Sequence, residues 1–387
     1  MRENGVIDTA VPVSRAEAGL LWAELERFCF EDQHCLIRSS PCYMSWGLCE
    51  LLCRESRKIA ASDARRAVEF GELAVLVSDL IKTEGPSETP LLFQLRGYAW
   101  AHVGNARRVL GDLRNADEAF AISEPWWEAG VQTVGDVLGY GPVLLDLEAS
   151  LRIAQRRFPE ALALLDRAST LCATERRDLH WSGRLLVTKA LAMGEMGEPE
   201  SAIEMLAEAA SLLDAERDPR LILCVQHNLV WNFTTVGRYE EAEAMLPELW
   251  ALSRELGNPL DLLRLRWAQG RIEAGLGRTD PAILTFCELQ QQFAERGMAF
   301  DAALVSLELA ALYAEADRIS EVKELAREMV AIFQAHDVSR EALAALLLFE
   351  RVAARRRATA KLAREVAAFL EKSRYSPDLR FERARRR

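Results

Sequence analysis

Residues 100–120 read WAHVGNARRVLGDLRNADEAF, and their order of large, small and turn-forming residues decides the fold. Trp100 and Gly104 are followed by a turn at Gly111, by Ala116 on the next helix and by Phe120 one turn further on. The hexapeptide GDLRNA that carries this turn recurs in altered form as RRFPEA, GEPESA, GRYEEA, GRTDPA and DRISEV. These segments end at Ala116, Ala161, Ala202, Ala242, Ala282 and Val322, and the last four steps are 41, 40, 40 and 40 residues. A fixed period of this length, with a turn followed by a small residue, marks stacked helix–turn–helix units that bury one another's faces. The small residue is needed where two helices cross closely, because only Gly or Ala lets the backbones approach to the short end of normal interaxial distances.

The spacing of Trp100, Gly104, Gly111, Ala116 and Phe120 resembles that of tetratricopeptide repeats, which place a large first-helix residue, two close-approach residues, a second-helix alanine and an aromatic at these positions. The small residues recur as Ala149 and Ala161, Ala190 with Gly197 and Ala202, Gly237 with Ala242, and Gly270 with Gly277 and Ala282. The resemblance covers residues 91–335 as six units. It implies an all-α fold, a right-handed α-solenoid of stacked antiparallel helix pairs. The units depart from the standard length of about 34 residues, so each helix is expected to be about one turn longer. Val322 stands where an alanine is expected and Arg156 where a turn glycine is expected. Longer units of this kind resemble those of bacterial signal-transduction regulators, where the array senses or docks a partner.

Outside the regular array the pattern loosens. Residues 1–13 lack periodicity and read as a leader, after which Ser14 can cap a covering helix, the two together filling 1–40. Stretches 42–60 and 63–82 form an irregular first pair within 41–90, closed by the loop segment TEGPSETP at 83–90. Ser123 to Pro142, with four glycines and Trp126-Trp127, reads as an insertion loop. Asp218-Pro219 and Asn258-Pro259 put a capping residue before a first-turn proline. Residues 336–374 are expected to be a closing helix pair with the turn ArgArgArgAla, and 375–387 a basic tail.

Half of the residues are apolar and 7% aromatic, which supplies a continuous core and favours helix over sheet. The net charge of −11 argues for solubility and against broad adhesion to nucleic acid or anionic membranes. Residues 361–387 alone carry +5, leaving −16 on the rest, so any direct contact with DNA would fall on the tail. The first twenty residues show no signal-peptide pattern, and the longest apolar run, Ala342 to Phe349, is far too short to span a membrane. A cytoplasmic protein with reduced thiols is the expectation.

Five of the eight cysteines, Cys29, Cys35, Cys42, Cys49 and Cys53, crowd into one segment with His34. Metal or thiol chemistry is the sharp reading. Zinc sites gather ligands through tight pairs two to four residues apart, and these spacings do not; Cys42, Trp46, Cys49 and Cys53 instead fall at helical spacing, where cysteine packs as a small hydrophobe. No phosphate-binding glycine loop, histidine pair, nucleophile elbow or calcium loop is present in the sequence. No cofactor, metal or enzymatic activity is expected.

Tetratricopeptide arrays usually bind along the concave surface made by first helices, so the resemblance projects aligned first-helix positions onto that surface. They are Tyr98, Asn105 and Arg108; Asp146 and Ser150; Arg184; His227, Asn228 and Trp231; and Arg264, Trp267 and Arg271. Aromatic area combined with guanidinium and amide donors suits an extended peptide and its carboxylates. The competing reading is that the tryptophans pack between units and the arginines pair with acids. The expected function is a protein- or peptide-binding scaffold or sensor. A regulatory subunit of a transcription or defence signalling system is the alternative, and the apolar terminal helices could cap the array or pair two copies.

Overall fold

The computed structural model describes residues 7–83, 85, 88–175, 178–335, 340–373 and 380–381. Among these the regular structure is helical, with eighteen α-helices, one short 3-10 turn and no strand. Among the described residues no helix is long and apolar enough to cross a membrane. The chain divides into two compact units, Met1–Met196 and Gly197–Arg387.

The first unit begins with α1 (Ile7–Leu25) and α2 (Phe30–Ser39), which pack on α3 (Trp46–Ile59) and α4 (Ala64–Leu80) respectively. The expected leader is therefore helical from Ile7, while residues 1–6 lie outside those described. Ser14 does not cap this helix. It lies within α1, and its hydroxyl accepts the Gly47 N–H at 2.7 Å, so the hydroxyl joins α1 to α3. Local capping rules do not foresee such a tertiary use. Asp63 does cap α4, accepting the Arg66 N–H at 2.9 Å, and Ser45 caps α3.

Helices α5 (Thr89–Leu110) and α6 (Leu113–Val134) form the longest hairpin, 22 residues each. The insertion expected at Ser123 to Pro142 is mostly helix: α6 runs to Val134 with Pro125 inside it, and only residues 135–140 connect to α7 (Gly141–Ala154). The glycines that suggested a loop are close-contact residues. A Cβ on Gly97 of α5 would stand 2.8 Å from the Trp127 Cβ and 2.9 Å from the Ser123 carbonyl oxygen, and one on Gly130 would stand 2.7 Å from Gln94 Cγ. Gly104 faces Phe120 in the same way, with its missing Cβ 2.6 Å from that ring. Helix α5 is surrounded by α3, α4, α6 and α7, which accounts for burial on almost every side. The unit closes with α8 (Phe158–Glu175) and α9 (Leu179–Met196).

The second unit comprises α10 (Pro199–Leu212), α11 (Pro219–Thr235), α12 (Tyr239–Leu256), α13 (Pro259–Gly275), α14 (Thr279–Glu295), α15 (Ala299–Glu315), α16 (Ile319–Ala335), α17 (Arg340–Ala354) and α18 (Ala360–Ser373). Asp218 and Asn258 cap α11 and α13, accepting from Leu221 and Leu260 at 3.0 and 2.9 Å. The turn arginines at Arg238, Arg278 and Arg318 repeat the period. Arg238 and Arg318 pair with the acid three residues on, Glu241 and Glu321, and Arg278 reaches back to Glu243 on the preceding outer helix. Helix α15 is apolar around its circumference and is covered by α14, α16 and α18.

The closing pair departs from simple stacking. α16 packs on α17, but α18 rather than α17 lies against α15, with Arg364 paired to Glu315 and Leu362, Val366, Phe369 and Leu370 turned inward. Ala342, Ala345, Leu346 and Phe349 of the apolar terminal run are buried in this core. Of the tail, Arg380 and Phe381 are described, and the Phe381 ring meets Phe369 edge-on at 5.1 Å.

Two substitutions test this packing. Gly97→Ala replaces a helix-interior glycine by a better helix former, worth about 1 kcal/mol, yet drives a methyl into backbone that cannot retreat. The expected net loss is about 1–2 kcal/mol, read from the urea midpoint. The α17–α18 turn holds Arg356 at φ 54°, a left-handed conformation that costs a side-chain-bearing residue about 1–2 kcal/mol. Arg356→Gly is expected to leave stability unchanged or raise it by up to about 1 kcal/mol, and a fall in thermal midpoint would contradict the assignment.

Candidate functional site

The projected positions gather into two clusters, one in each unit, and each is treated by itself. In the first, Tyr98 is buried and stacks on Tyr140 with ring centroids 4.2 Å apart. Burial pushes its phenol well above the ordinary range. Asn105 is also buried, and its Oδ1 accepts from Arg108 at 2.9 Å. Asp146 on α7 accepts from Arg184 Nε at 3.2 Å and from the Thr188 hydroxyl at 2.6 Å, joining α7 to α9. Ser150 donates to the Asp146 carbonyl of its own helix. These residues satisfy one another, so the expectation that Tyr98 and Asn105 line an open groove is not met: neighbouring helices pack over them.

Beneath them runs a polar network that the sequence did not announce. Arg15 of α1 holds the buried Glu50 carboxylate through two bonds of 2.6 Å. The Tyr140 hydroxyl donates to the same carboxylate and accepts from Trp46 Nε1 at 3.2 Å. Burial first, then the Glu50 charge, raises the Tyr140 pKa. His102, one turn from Tyr98 on α5, is 1% exposed with neither ring nitrogen partnered among the described residues. Burial lowers its pKa to about 3, helped by the charges of Arg57 and Arg184, so the ring is neutral.

The second cluster is more open. The rings of His227 and Trp231 on α11 lie nearly parallel, 6.4 Å apart, and Trp231 meets Trp267 of α13 edge-on at 5.7 Å. Trp267 is only 5% exposed and continues the contact to Phe293 of α14. Arg271 is committed on both sides: its guanidinium lies 4.1 Å over the Trp231 ring and 3.7 Å from the Glu308 carboxylate of α15. Burial raises the Glu308 pKa, partly offset by Arg271 and by the Trp267 indole N–H, which meets no acceptor at full hydrogen-bond geometry. Arg220 grips Asp261 with both arms of its guanidinium, one at 3.0 Å.

That leaves Arg264 and Asn228. Arg264 is 51% exposed and touches Asp261 only at 3.9 Å, on a carboxylate already taken by Arg220. The Asn228 side-chain amide has no partner among the described residues; only its backbone carbonyl is engaged, by Asn232. His227 is partly buried with its Nε2 unpartnered, and burial followed by the Arg264 charge lowers its pKa to about 4. The Arg264 guanidinium and the Asn228 amide are thus left uncommitted, whereas the Trp231 ring is covered by the Arg271 guanidinium on one face.

No protein-family model matches the chain, and no curated protein matches it by sequence. Solved structures do match. A Rap protein complexed with competence and sporulation factor is similar over 84% of this chain and 87% of its own, with 14% identity and a TM-score of 0.59. A signal transduction ATPase with numerous domains from Pyrococcus horikoshii, carrying a tetratricopeptide repeat sensor, is similar over 89% of this chain with 12% identity and a TM-score of 0.52; this chain spans about half (52%) of its length. The fold is that of tetratricopeptide-repeat proteins. At these identities the likeness is one of fold.

Within the tetratricopeptide register, Glu308 stands as far before Val322 as Asn228 stands before Ala242, so alignment of copies could have placed it on the strip. Arg220 and Asp261 fall one residue off the same register position in consecutive units, so alignment of copies would have brought them close to one another. No such signal exists for Arg15 and Tyr140, which lie outside regular positions. The cysteines divide between surface and core. Cys49 and Cys53 are buried on α3, whereas Cys42 is exposed in the 3-10 turn Pro41–Tyr43 and off the face expected for it, and Cys29 and Cys35 are exposed. No group of three metal-ligating side chains occurs among the described residues.

Trp267 and Arg264, neighbours in sequence, should respond oppositely to substitution. Trp267→Ala removes a buried ring shared by Trp231 and Phe293 and is expected to cost about 3–5 kcal/mol. Arg264→Ala is expected to stay within about 0.5 kcal/mol of wild type. Urea denaturation followed by circular dichroism measures both, and equal losses would contradict the division of roles.

Proposed function

We propose that this chain is a non-enzymatic binding protein whose second unit holds an extended peptide or protein segment bearing a carboxylate, so that it serves as a scaffold or sensor for that partner in the cytoplasm. The observation that supports this most is the contrast between Arg264 and its neighbours. Arg220 and Arg271 are held by acids of their own unit, while Arg264 is half-exposed with only a 3.9 Å approach to Asp261, and on the adjacent helix α11 the Asn228 side-chain amide has no partner among the described residues. A guanidinium recognises a carboxylate through paired donors, and an amide beside it can accept and donate along a peptide backbone. The Trp231 indole adds apolar area that is already held in place, so little side-chain entropy is lost on binding.

The similar Rap protein was observed complexed with competence and sporulation factor, which accords with a binding role for this architecture. Among the sequence-based candidates, Asn228, Trp231 and Arg264 are retained as ligand contacts. Arg271 and Trp267 support Trp231 from behind.

Selection from a random-peptide display library gives the test. Peptides recovered on the wild-type chain should be enriched in acidic residues or end in a free carboxylate. Their affinity should fall at least about tenfold in Arg264→Ala and in Asn228→Ala, each equivalent to about 1.4 kcal/mol. Wild-type affinity retained in both variants, at unchanged helicity, would remove this face from consideration.

A further inference from the structure

We propose that Asp261 is an internal competitor for anions, which limits the second-unit site to ligands bringing one negative charge and so selects a carboxylate over a phosphoryl group. The inference rests on the binding role proposed above and deepens it by naming the charge class of the ligand. Asp261 lies in the first turn of α13, behind the Asn258 cap and Pro259, and Arg220 follows Pro219 in the first turn of α11. These helices pack against each other, and their first turns meet through side chains. Arg220 grips the Asp261 carboxylate with both arms, one of them on Oδ1 at 3.0 Å, and Arg264 Nη1 approaches the same Oδ1 at 3.9 Å. Among the described residues no other carboxylate pairs with either guanidinium.

Unequal burial of the three side chains decides which of them a ligand can use. The Asp261 side chain is 10% exposed, that of Arg220 36% and that of Arg264 51%. A ligand that drew Arg220 away would strand a buried carboxylate without its partner, and breaking a buried pair in this way is strongly destabilising. The Arg264 contact, long and on an exposed side chain, stabilises little and is readily given up. Arg220 is therefore closed to ligands and Arg264 is open. Together the three side chains carry one net positive charge, which a single carboxylate neutralises. A phosphoryl group brings roughly 1.5 to 2 negative charges near pH 7, and its oxygens would stand near the fixed Asp261 carboxylate with no second cation to balance them. A built-in repulsive charge of this kind discriminates between ligands that the same guanidinium would otherwise accept.

Inorganic phosphate tests this without any peptide. Thermal midpoints of the full chain are followed against rising phosphate near neutral pH, with chloride holding the ionic strength constant, since an anion that binds the folded state raises the midpoint. Wild type should show only the shallow, unsaturating rise that phosphate gives by exclusion from protein surfaces. Asp261→Asn releases two guanidiniums, and its midpoint should rise saturably, with an affinity at least about tenfold tighter than any wild-type binding. Adding Arg264→Gln or Arg220→Gln to that background should abolish the gain. The same phosphate response in Asp261→Asn and wild type, whether both saturate or neither does, would overturn the assignment. Arg220→Gln in the otherwise wild-type chain gives a second reading should Asp261→Asn fail to fold. There Asp261 has Arg264 as its only counter-charge and should close on it, so nitrogen-detected NMR should show slowed rotation of the Arg264 guanidinium, assigned by its loss in Arg264→Gln. Unchanged rotation would count against the competitor role. An absence of selected peptides, by contrast, counts against the peptide reading alone and leaves Asp261 to be judged on these measurements.

Discussion

Each helix pair of this protein closes on a buried small residue, and the rest of the structure depends on that approach. Ala116, Ala161, Ala202, Ala242, Ala282 and Val322 are all fully buried. Opposite them, the first helices contribute residues that admit an aromatic ring: Gly104 receives Phe120, and Gly270 receives Phe286 in the same register. A Cβ at either glycine would stand 2.6 to 2.7 Å from the ring, inside any real contact distance. Interaxial distance follows from these pairs. Once it is set, each hairpin presents a predictable face to the next, which is why a period can propagate through a chain with no long-range instruction beyond its own repetition.

That dependence explains what could be read in advance. Turn position, helix pairing and the two proline-marked caps are local properties, so the spacing of Ala161 to Val322 contained them. The errors came where tertiary contact reuses a local signal. Glycine at Gly97 and Gly130 is the same residue whether it bends a loop or lets two helices touch, and only the partner side chains, Trp127 and Gln94, distinguish the cases. Ser14 has the chemistry of a cap and spends it on Gly47 of another helix. The order of α17 and α18 against α15 was equally illegible, since both helices are amphipathic enough to cover it.

The site shows a further limit. Register gave position on a face, yet at those positions Tyr98, Asn105 and Trp267 are buried and Arg271 is held by Glu308 and the Trp231 ring. It could not give exposure, because exposure depends on what faces each position from the adjacent helix. Arg264 and Arg271 share a helix and a charge. One meets a carboxylate already engaged by Arg220, and the other meets Glu308 and an indole ring. Such differences arise from specific pairs of side chains, Arg271 with Glu308 and Arg220 with Asp261, a level of information that single-repeat patterns do not hold.

The two clusters therefore differ in electrostatic completeness. In the first unit, Arg15 with Glu50 and Arg184 with Asp146 are paired at hydrogen-bond distance on largely buried acids, an arrangement in which removing either partner leaves a costly charge. Pairs of this kind fix helix positions and leave little to offer a ligand. In the second unit Asp261 has two arginines within reach and is gripped by one of them, so positive charge is left over at Arg264. An unbalanced charge left by the fold is unfavourable for the free protein, and it is the feature on which the proposed recognition of a carboxylate rests.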